Sequence, residues 1–560
     1  MNVLKGVGIS GNIVFGKLKA FKKDFFSMNS EKIYTEDHES EIEKYKCARK
    51  LAMDQLDAVY KKVLSDIGEE HAAIFQIHRM MIEDIDYVNS VTNIITDENA
   101  NAEYAVWLTS RNFEHAFENA EGDYMQQRAS DIRDVSKRIV SCMSCFSENK
   151  KNEDKKKAMI IGSDDLMPSE LLELNRNSVK GFITMLGSKN SHTSILARAM
   201  NITAVAGLGD QLRPEYEGCN VAIDSLAGIV YISPDKTTVR RLKKKKELCG
   251  QRQELLNSFK GKEDITLDGK EVSICANVSH VSDLAAVCEC NARGIGLFRS
   301  EFVFMGRSDY PTEEEQFKIY KKVAKQMKGK PVIIRTVDVG TDKRIRYFDL
   351  PNEVNPAMGY RGIRICLDRP LIFKAQLRAI LRASIFGNIK ILFPMICSLD
   401  EILQIKQILN EVKEELDAKK IEYDGKLHIG IMIETPAAVF ISDVLAKEVN
   451  FFSIGTNDLI QYSLAVDRQN DKINFMFNPH HKAILRMIKL VCDNAKKSGI
   501  IVGICGEVAA DESMTETFLS LGVSELSVSA PFVLGIRKKV REINVSAVCG
   551  DIIRALSFDD

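Results

Sequence analysis

Apolar and polar positions between residues 36 and 143 recur with the period of a helix. The clearest apolar stripe, at i, i+3, i+4 and i+7, consists of Leu56, Val59, Tyr60 and Val63. The region contains no proline and only two glycines, which favours long helices joined by short turns. The pattern therefore predicts an α-helical subdomain over residues 36–143.

Short runs rich in β-branched residues replace this pattern between about 155 and 234, and again over residues 1–20. One helical piece near 192–200 lies among them. We expect the N-terminal strands to join the same sheet, so that the helical subdomain is an insertion in a small α/β domain. The predicted boundaries are 1–35 and 144–235 for the α/β domain, 36–143 for the insertion and 236–262 for a basic linker helix.

Eight short apolar strands can be recognised in the last 300 or so residues, and helical stretches separate most of them. They are EVSICAN, GIGLF, PVIIRTV, IKILFP, IGIMIE, FFSIG, IVGIC and ELSVS. Eight such units predict a (β/α)₈ barrel, which typically needs about 250 residues before insertions. A doubly wound open sheet is the alternative, although it usually has fewer strands. The predicted fold class is therefore a multidomain α/β protein that ends in a TIM barrel over residues 263–560.

Length and composition mainly exclude other classes of protein. The 560 residues exceed the roughly 250–300 at which single cores stop growing, so two or three domains are expected. The near balance of 77 Lys and Arg against 78 Asp and Glu argues against a global nucleic-acid or membrane role. The first residues lack a secretory signal, and no run is apolar enough to span a membrane. The 13 cysteines form no framework, so reduced thiols in a cytoplasmic protein are expected.

Several candidate functional residues follow the predicted barrel strands. In such barrels, active residues project from the C-terminal ends of the strands. The residues at those ends are Arg299, Arg335, Glu434, Asn457, Asp458 and Cys505, with Arg361 and Arg468 in neighbouring loop-like segments. A single arginine or glutamate at a strand end is more often part of a structural ion pair. Several arginines, two carboxylates and a cysteine at one end of a barrel are harder to assign to packing.

The chemistry of this set points to a small phosphorylated acid and a divalent cation. Guanidinium groups bind phosphate and carboxylate with two parallel hydrogen bonds and stay charged at any relevant pH. Two neighbouring carboxylates repel each other without a cation, so Glu434 and Asp458 predict Mg²⁺, which also binds substrate phosphate. Cys505 is interpreted as a nucleophile, as a proton donor to carbon or as a buried structural thiol.

A second candidate site lies in the predicted α/β domain, where a glycine turn runs into a helix. The segment is Gly187-Ser188-Lys189-Asn190-Ser191-His192-Thr193-Ser194. The N–H groups and dipole of a helix N-terminus favour an anion, and a neutral imidazole at His192 can carry phosphate on a ring nitrogen. Three neighbouring hydroxyls could also bind phosphoryl oxygens. A capping or packing role is an equally good interpretation of this segment alone.

Together these segments resemble Enzyme I of the bacterial sugar phosphotransferase system, the phosphoenolpyruvate–protein phosphotransferase family. The resemblance runs over essentially the whole chain in the expected order. It is carried by GFITMLGSKNSHTSILARAMNITAVAG, GIGLFRSEFVFMGR, NPAMGYRGIRI, QLRAILRAS, GIMIETPAAV, FFSIGTNDLIQYSLAVDR and IVGICGE. The helical subdomain resembles the partner-binding insertion of that family in IHRMMIEDIDYV and GDYMQQRASDIRDVSKRI.

The resemblance implies a swivelling phosphohistidine domain and a barrel that binds phosphoenolpyruvate and Mg²⁺. By this resemblance, Glu434 and Asp458 hold the metal, and the substrate is bound by Arg299, Arg335, Lys343, Arg361, Asn457, Asp458 and Arg468. His192 attacks phosphorus and becomes a phosphohistidine, and Cys505 protonates the enolate carbon to give pyruvate. His192 then passes the phosphoryl group to a histidine of the phosphocarrier protein HPr, as the first step of sugar uptake.

The resemblance also implies the partners of the chain. The barrel domain is expected to form a homodimer. Separately from the resemblance, the charge balance and the lack of a long apolar run predict no nucleic-acid partner and no insertion into a membrane. The acidic helix near Glu83, Asp84 and Asp86, together with His78, would face HPr by analogy.

Three departures from the family pattern bear on the rate or on the orientation of the histidine. The family often has a threonine near position 171, thought to contact the active histidine, where this chain has Leu171. The stretch before the histidine usually reads closer to DxGGxTSH, whereas here it is MLGSKNSH. A glycine pair before Asp-Lys is common, but this chain has Gly340-Thr341-Asp342-Lys343.

Three alternative functions fit parts of the pattern. A relative of pyruvate,phosphate dikinase or phosphoenolpyruvate synthase shares the histidine domain and the barrel, but carries an ATP-binding domain for which this chain has no room. A regulatory paralogue would sense phosphoenolpyruvate and retain the label, and such relatives often carry an added sensory domain. A Mg²⁺-dependent barrel lyase acting on an oxoacid would leave the His192 motif unexplained.

Overall fold

A computed structural model of the protein describes residues 1–20, 32–66, 69–118, 123–144, 159–166, 168–173, 179–188, 191–200, 202–305, 307, 309–340, 345–468, 470 and 472–556. These residues form two compact units, Met1–Arg252 and Gln253–Asp560. The boundary between the units falls within a helix that spans Lys236–Asn257, at the place where the sequence predicts a linker helix. The domain boundaries drawn from the sequence stay predictions.

The first unit contains a mixed sheet. Its described strands are β1 (Asn2–Lys5), β2 (Val7–Gly8), β3 (Ile13–Ala20), β4 (Met159–Ser163), β5 (Val179–Thr184), β6 (Thr203–Ala206), β7 (Asn220–Asp224) and β8 (Ile229–Ile232). They pair in the order β1-β8-β7-β3-β4-β5-β6-β2. Because β3 pairs in parallel with β4 and antiparallel with β7, strands from both sides of the helical region share one sheet. The prediction that the N-terminal strands join this sheet is confirmed.

The helices of the first unit bury one face against one another and against the sheet. They are α1 (His38–Asp66), α2 (Glu69–Glu83), α3 (Ile85–Asp97), α4 (Ala102–Glu118), α5 (Asp123–Ser144), α6 (Pro168–Glu173), α7 (His192–Ala199) and α8 (Lys236–Asn257). One apolar core joins Tyr45 and Phe75 from the helices with Ile161 and Phe182 from the strands. The predicted helical region is therefore packed on the α/β sheet.

The second unit is a closed barrel of eight parallel strands among the described residues. The strands are β9 (Ser273–Val278), β10 (Ile295–Arg299), β11 (Val332–Arg335), β12 (Ile389–Phe393), β13 (His428–Ile433), β14 (Phe451–Gly455), β15 (Ile501–Cys505) and β16 (Glu525–Ser529). Each corresponds to one of the eight runs recognised in the sequence. Such runs are apolar on both faces because helices cover the outside of a parallel barrel while side chains fill its interior. The predicted fold class is confirmed.

Helices follow most of the barrel strands. They are α9 (Leu284–Glu289), α10 (Glu301–Phe304), α11 (Glu313–Gln326), α12 (Ile363–Asp368), α13 (Pro370–Ser384), α14 (Leu399–Ala418), α15 (Pro436–Phe440), α16 (Ser442–Leu445), α17 (Thr456–Leu464), α18 (Lys482–Lys497), α19 (Thr515–Leu521), α20 (Val533–Val540) and α21 (Val545–Leu556). Capping boxes at Thr312 and Ser398 fix where α11 and α14 begin. Among the described helices, none combines the length and apolarity required to cross a bilayer.

Candidate active site

The C-terminal ends of the barrel strands surround a cavity of about 690 Å³. It brings together eight residues selected from the sequence, namely Arg299, Arg335, Arg361, Glu434, Asn457, Asp458, Arg468 and Cys505. Lys343 lies outside the described residues, and His192 belongs to the first unit. The six strand-end residues share one rim as expected, the two loop arginines Arg361 and Arg468 join them, and the individual roles of all eight stay predictions.

Two of the arginines are already paired with carboxylates inside the cavity. Arg335 is within 2.7 Å of Glu301 Oε1 and 3.0 Å of Asp338 Oδ2. Arg361 is within 3.0 Å of the same Asp338 oxygen and 3.4 Å of Asp458 Oδ1. Burial opposes both charges, but the neighbouring carboxylates outweigh it and raise the pKa of each arginine. Asp338 therefore holds both guanidinium groups in fixed positions.

Arg299 differs because no carboxylate of the described residues lies within ion-pair distance of it. Its Nε donates to Ser279 Oγ at 3.0 Å, and its guanidinium lies 5.1 Å from the centre of the Phe302 ring. Burial lowers the pKa of Arg299 because it disfavours the charged guanidinium, although the charge of Glu301 acts in the opposite direction. A desolvated guanidinium that faces a cavity fits an anionic group of a ligand.

Arg468 and Asn457 occupy the more open part of the cavity. The Arg468 side chain is 43% exposed, and its Nη1 lies 4.0 Å from Glu507 Oε1. Such an exposed pair holds the guanidinium weakly, so it remains available to a ligand.

Gly506 has φ of +121°, and a Cβ there would lie 2.6 Å from Thr456 Oγ1, so the loop needs glycine.

Glu434 and Asp458 form the carboxylate pair predicted to hold a metal. Glu434 is 1% exposed, and its Oε1 accepts a hydrogen bond from the Met395 N–H at 2.7 Å. Burial, together with the charges of Asp458 and Asp338, raises the pKa of Glu434 above that of a free glutamate. Its other oxygen lies only 2.6 Å from the place where a Cβ of Gly455 would be, so that a side chain at 455 would displace it.

This pair fits a divalent cation. A buried carboxylate that is destabilised by other carboxylates gains most from a positive charge, and Mg²⁺ prefers carboxylate oxygens. Among the described residues, no group of three or more His, Cys, Asp or Glu is arranged around a metal-sized space. Two carboxylates would therefore have to be complemented by substrate and water oxygens, as is usual for Mg²⁺ at phosphate sites.

Metal-free protein is expected to lose stability through Glu434 as the pH rises above the usual glutamate pKa of about 4.3. Because the pKa of Glu434 is raised in the folded state, folded protein keeps this proton to a higher pH than the unfolded chain does. The free energy of unfolding contributed by this group therefore falls with pH. Between about pH 5 and 8, the melting temperature of wild type should fall about 3–5 °C further than that of Glu434→Gln, measured by calorimetry.

Mg²⁺ should flatten the wild-type curve, because a bound cation favours the ionised carboxylate. Glu422→Gln changes an exposed glutamate and is the matched control, which should follow wild type. Equal pH slopes for wild type and Glu434→Gln would contradict the assignment.

Cys505 ends β15 inside the barrel and is 2% exposed. Burial raises the pKa of its thiol to about 11, although the Ser453 hydroxyl and Arg335 both lower it. The thiol is thus protonated near neutral pH, and a nucleophile would need the thiolate. This counts against the nucleophile, whereas the proton donor and the buried structural thiol both fit a protonated, buried sulfur.

His192 is the first residue of α7, directly after the N-cap Ser191. The neighbouring hydroxyls have structural partners: Ser191 Oγ accepts from the Ser194 N–H at 3.3 Å, and Ser194 Oγ donates to the Ser188 carbonyl at 2.7 Å. Thr193 donates to the Leu166 carbonyl. These three hydroxyls thus make the contacts that the capping and packing interpretation expects.

Two further expectations about the first unit are resolved. Leu171, at the position where relatives often have threonine, is fully buried in the apolar core of that unit. The expectation that His78 faces a partner is wrong. His78 is 1% exposed, and its ring nitrogens lie 3.4 Å from Asp131 and 3.7 Å from Asp134.

Sequence reasoning missed several residues of the cavity. Glu301 and Asp338, which pair with Arg335, lie just beyond two of the strand-end arginines and could have been found from that spacing. In total, the described lining carries four arginines and six carboxylates, the latter being Glu301, Asp338, Glu434, Asp458, Asp467 and Glu507. The cavity therefore has more acidic than basic groups, which again favours a cation as one of its ligands.

Models of known protein families match the barrel and most of the first unit. Family models described as "PEP-utilising enzyme, PEP-binding domain", "PEP-utilising enzyme, N-terminal" and "PEP-utilising enzyme, mobile domain" match residues 253–545, 5–128 and 155–228. The first of these covers the barrel and its cavity. The fold and the site thus define the class of phosphoenolpyruvate-utilising enzymes.

Full-length relatives narrow the class. The phosphoenolpyruvate-protein phosphotransferase of Priestia megaterium is 38% identical over 541 residues, which cover 97% of this chain and 94% of the relative. That of Geobacillus stearothermophilus is 39% identical over 540 residues, with 96% and 93% covered. An NMR structure of an Enzyme I protein is 32% identical and covers 44% of this chain and 99% of its own, although its TM-score of 0.35 adds nothing to the assignment. The chain belongs to the phosphoenolpyruvate-protein phosphotransferase family, so the resemblance to Enzyme I and the prediction of an enzyme are confirmed.

Proposed function

We propose that the chain transfers the phosphoryl group of phosphoenolpyruvate to its own His192 and then to a histidine of HPr, releasing pyruvate, as the first step of sugar uptake. The observation that supports this most is the composition of the barrel cavity. A desolvated guanidinium without a carboxylate partner, Arg299, lines the same cavity as a carboxylate pair and a protonated thiol. These are the groups that an anionic enol phosphate, a cation and a carbanion-like carbon require.

Two of the arginines are held in place by a carboxylate before the substrate binds, and the other two are not. Arg299 has no carboxylate of the described residues within ion-pair distance, and Arg468 is only weakly paired with Glu507. Together with Asn457, these two arginines would bind the phosphate and the carboxylate of phosphoenolpyruvate. Arg335 and Arg361 are held by Asp338, so they present their charge in one place without reorganisation during the reaction. Lys343 remains part of the proposed set on the strength of the resemblance.

Glu434 and Asp458 would hold Mg²⁺ in this cavity. When bound, the metal supplies positive charge next to the oxygens of the transferring phosphoryl group. The Met395 N–H fixes one oxygen of Glu434, and Gly455 leaves space for the other. These two contacts orient the carboxylate before any ligand arrives.

The reaction has three steps: transfer to His192, protonation of the enolate and transfer to HPr. A neutral ring nitrogen of His192 attacks phosphorus, the P–O bond to the enol breaks, and its electron pair stays on the enolate oxygen. Cys505 then gives its proton to the methylene carbon, so that pyruvate forms and water later restores the thiol. In the second half, a histidine nitrogen of HPr takes the phosphoryl group from His192.

The surface proposed to receive HPr lies around the end of α2 and the start of α3. Glu83, Asp84 and Asp86 surround an open depression there, beside Met80 and Ile85, which are 68% and 74% exposed. Acidic side chains around exposed apolar ones suit a partner with a basic, partly apolar surface. His78 is buried below and is left out of this proposal.

We extend the proposal to a cytoplasmic homodimer formed through the barrel. The described barrel surface exposes large apolar side chains, including Leu371 at 83%, Phe440 at 69% and Phe475 at 79%. Aromatic and other large apolar side chains are enriched in the buried centres of subunit interfaces. Sedimentation of the purified chain measures this directly.

The function is tested by mixing the full chain with ³²P-labelled phosphoenolpyruvate, Mg²⁺ and HPr. Pyruvate and phospho-HPr should form in equal amounts, and without HPr an acid-labile label should remain on His192. Labelling of His192 from ATP would instead favour a dikinase. A label that stays on the chain in the presence of HPr would favour a sensor.

Cys505→Ala should slow pyruvate formation about 10²-fold while binding of phosphoenolpyruvate changes little, because only the proton donor is lost. The rate is followed by a coupled assay for pyruvate, and the affinity by calorimetric titration. Cys492→Ala removes another buried thiol, on α18, and should behave as wild type. An unchanged rate in Cys505→Ala would contradict the assignment.

A further inference from the structure

Ser453 lies in the middle of β14, deep inside the barrel. In the register of the strands, it pairs with Met432 on one side and with Gly503 on the other. Its side chain is 4% exposed, and the side chains that share the barrel interior are largely apolar. A hydroxyl in such surroundings is costly unless it is hydrogen-bonded, so its partner identifies what it does.

That partner is the thiol of Cys505. Ser453 Oγ donates to Cys505 Sγ at 3.4 Å, and Cys505 Sγ donates to the Ile454 carbonyl at 3.6 Å. The sulfur is thus held by two contacts from the neighbouring strand β14, one with a side chain and one with the backbone. Gly503, opposite Ser453 in the register, has no side chain that could come between the two groups.

We propose that Ser453 is a positioning residue that fixes the Cys505 sulfur, so that its proton reaches one face of the enolate only. This inference rests on the proposed function, in which Cys505 is the proton donor. With the sulfur held in place, the S–H bond can rotate about Cβ–Sγ from the Ile454 carbonyl towards the cavity. Without the Ser453 hydroxyl, the Cys505 side chain would be free to adopt other rotamers.

The hydrogen bond from Ser453 to the Cys505 sulfur also stabilises the thiolate that forms when the proton leaves. The S–H bond breaks, the proton goes to the methylene carbon, and the C=C electron pair forms the new C–H bond as the enolate oxygen becomes a carbonyl. The electron pair of the S–H bond stays on sulfur as a thiolate. The Ser453 O–H stabilises this buried thiolate until water returns a proton.

The configuration of the pyruvate methyl group tests the inference. The Z isomer of phosphoenolpyruvate with one deuterium at C3 is turned over in tritiated water, so that protonation of one face gives a chiral methyl group of a single configuration. Wild type should give one configuration. Ser453→Ala should give a mixture, with kcat lowered about tenfold and KM within about threefold of wild type. Ser453→Thr keeps the hydroxyl and should restore the single configuration.

Two controls separate positioning from general loss of structure. Ser384→Ala removes another buried hydroxyl, which donates to the Leu381 carbonyl on α13, and should behave as wild type. In a Cys505→Ala background, Ser453→Ala should change kcat no further, because both residues act through one thiol. Additive losses would overturn the inference.

The remaining outcomes distinguish this inference from the proposed function. A single configuration from Ser453→Ala at the wild-type kcat would overturn the role of Ser453 alone. A mixture from wild type would overturn both this inference and the assignment of Cys505 as donor. Failure of wild type to label His192 from phosphoenolpyruvate would overturn the proposed function itself.

Discussion

His192→Ala is expected to form no phosphoprotein and to produce pyruvate at least about 10⁴-fold more slowly than wild type. Removal of the nucleophile leaves the barrel groups intact but gives the phosphoryl group no acceptor. The measurement is incubation with ³²P-labelled phosphoenolpyruvate and Mg²⁺, followed by mass spectrometry of the chain. Binding of phosphoenolpyruvate should be nearly unchanged, because the cavity residues all belong to the second unit.

A matched histidine control separates the loss of this imidazole from a general effect. His428 is exposed at the start of β13, the end of the barrel strands away from the cavity, and His428→Ala should label as wild type does. Label that persists at another residue of His192→Ala would refute the role of His192.

Arg335→Ala is expected to lower kcat/KM for phosphoenolpyruvate about 10- to 150-fold and to destabilise the barrel as well. A charge-assisted hydrogen bond to the substrate contributes about 1.5–3 kcal/mol. Loss of the guanidinium also removes the close ion pair of Glu301 and one of the two arginines that pair with Asp338, and breaking a buried pair costs about 3–5 kcal/mol. Steady-state kinetics and urea denaturation measure the two effects separately.

A second substitution distinguishes the two effects of Arg335→Ala. Adding Glu301→Gln removes the negative charge of the carboxylate closest to Arg335, so the free energy of unfolding should partly recover. Substrate capture should stay weak, because the guanidinium is still missing. Arg293→Ala, which breaks an exposed pair with Glu271, should change neither quantity. Recovery of kcat/KM together with stability would show that Arg335 acts only through folding.

The fold could be predicted from the sequence because its elements are repetitive and locally marked. Parallel strands that are buried on both faces must be continuous apolar runs, such as IVGIC at Ile501–Cys505, and eight of them leave few architectures. The rule that active groups lie at the C-terminal ends of strands also located the cavity residues. Both inferences depend on local sequence and on a general property of barrels.

The partners of the side chains could not be predicted in this way. That Asp338 pairs with both Arg335 and Arg361 depends on which strands become neighbours when the barrel closes. Ser453 could be read only as a hydroxyl in an apolar strand, since its contact with Cys505 lies 52 residues further along the chain. His78 was misassigned for the same reason, because burial against α5 is a tertiary property.

The acidic excess of the cavity lining has a thermodynamic consequence for its ligands. Among the described lining residues, a trianion that enters alone meets six acidic groups and four guanidinium groups, whereas a divalent cation that enters alone lacks the oxygens to complete its shell. Occupancy by one should therefore promote occupancy by the other, and linkage requires that both affinities rise by the same factor. The empty barrel would on this account discriminate against inorganic phosphate and other common cellular anions that arrive without a cation.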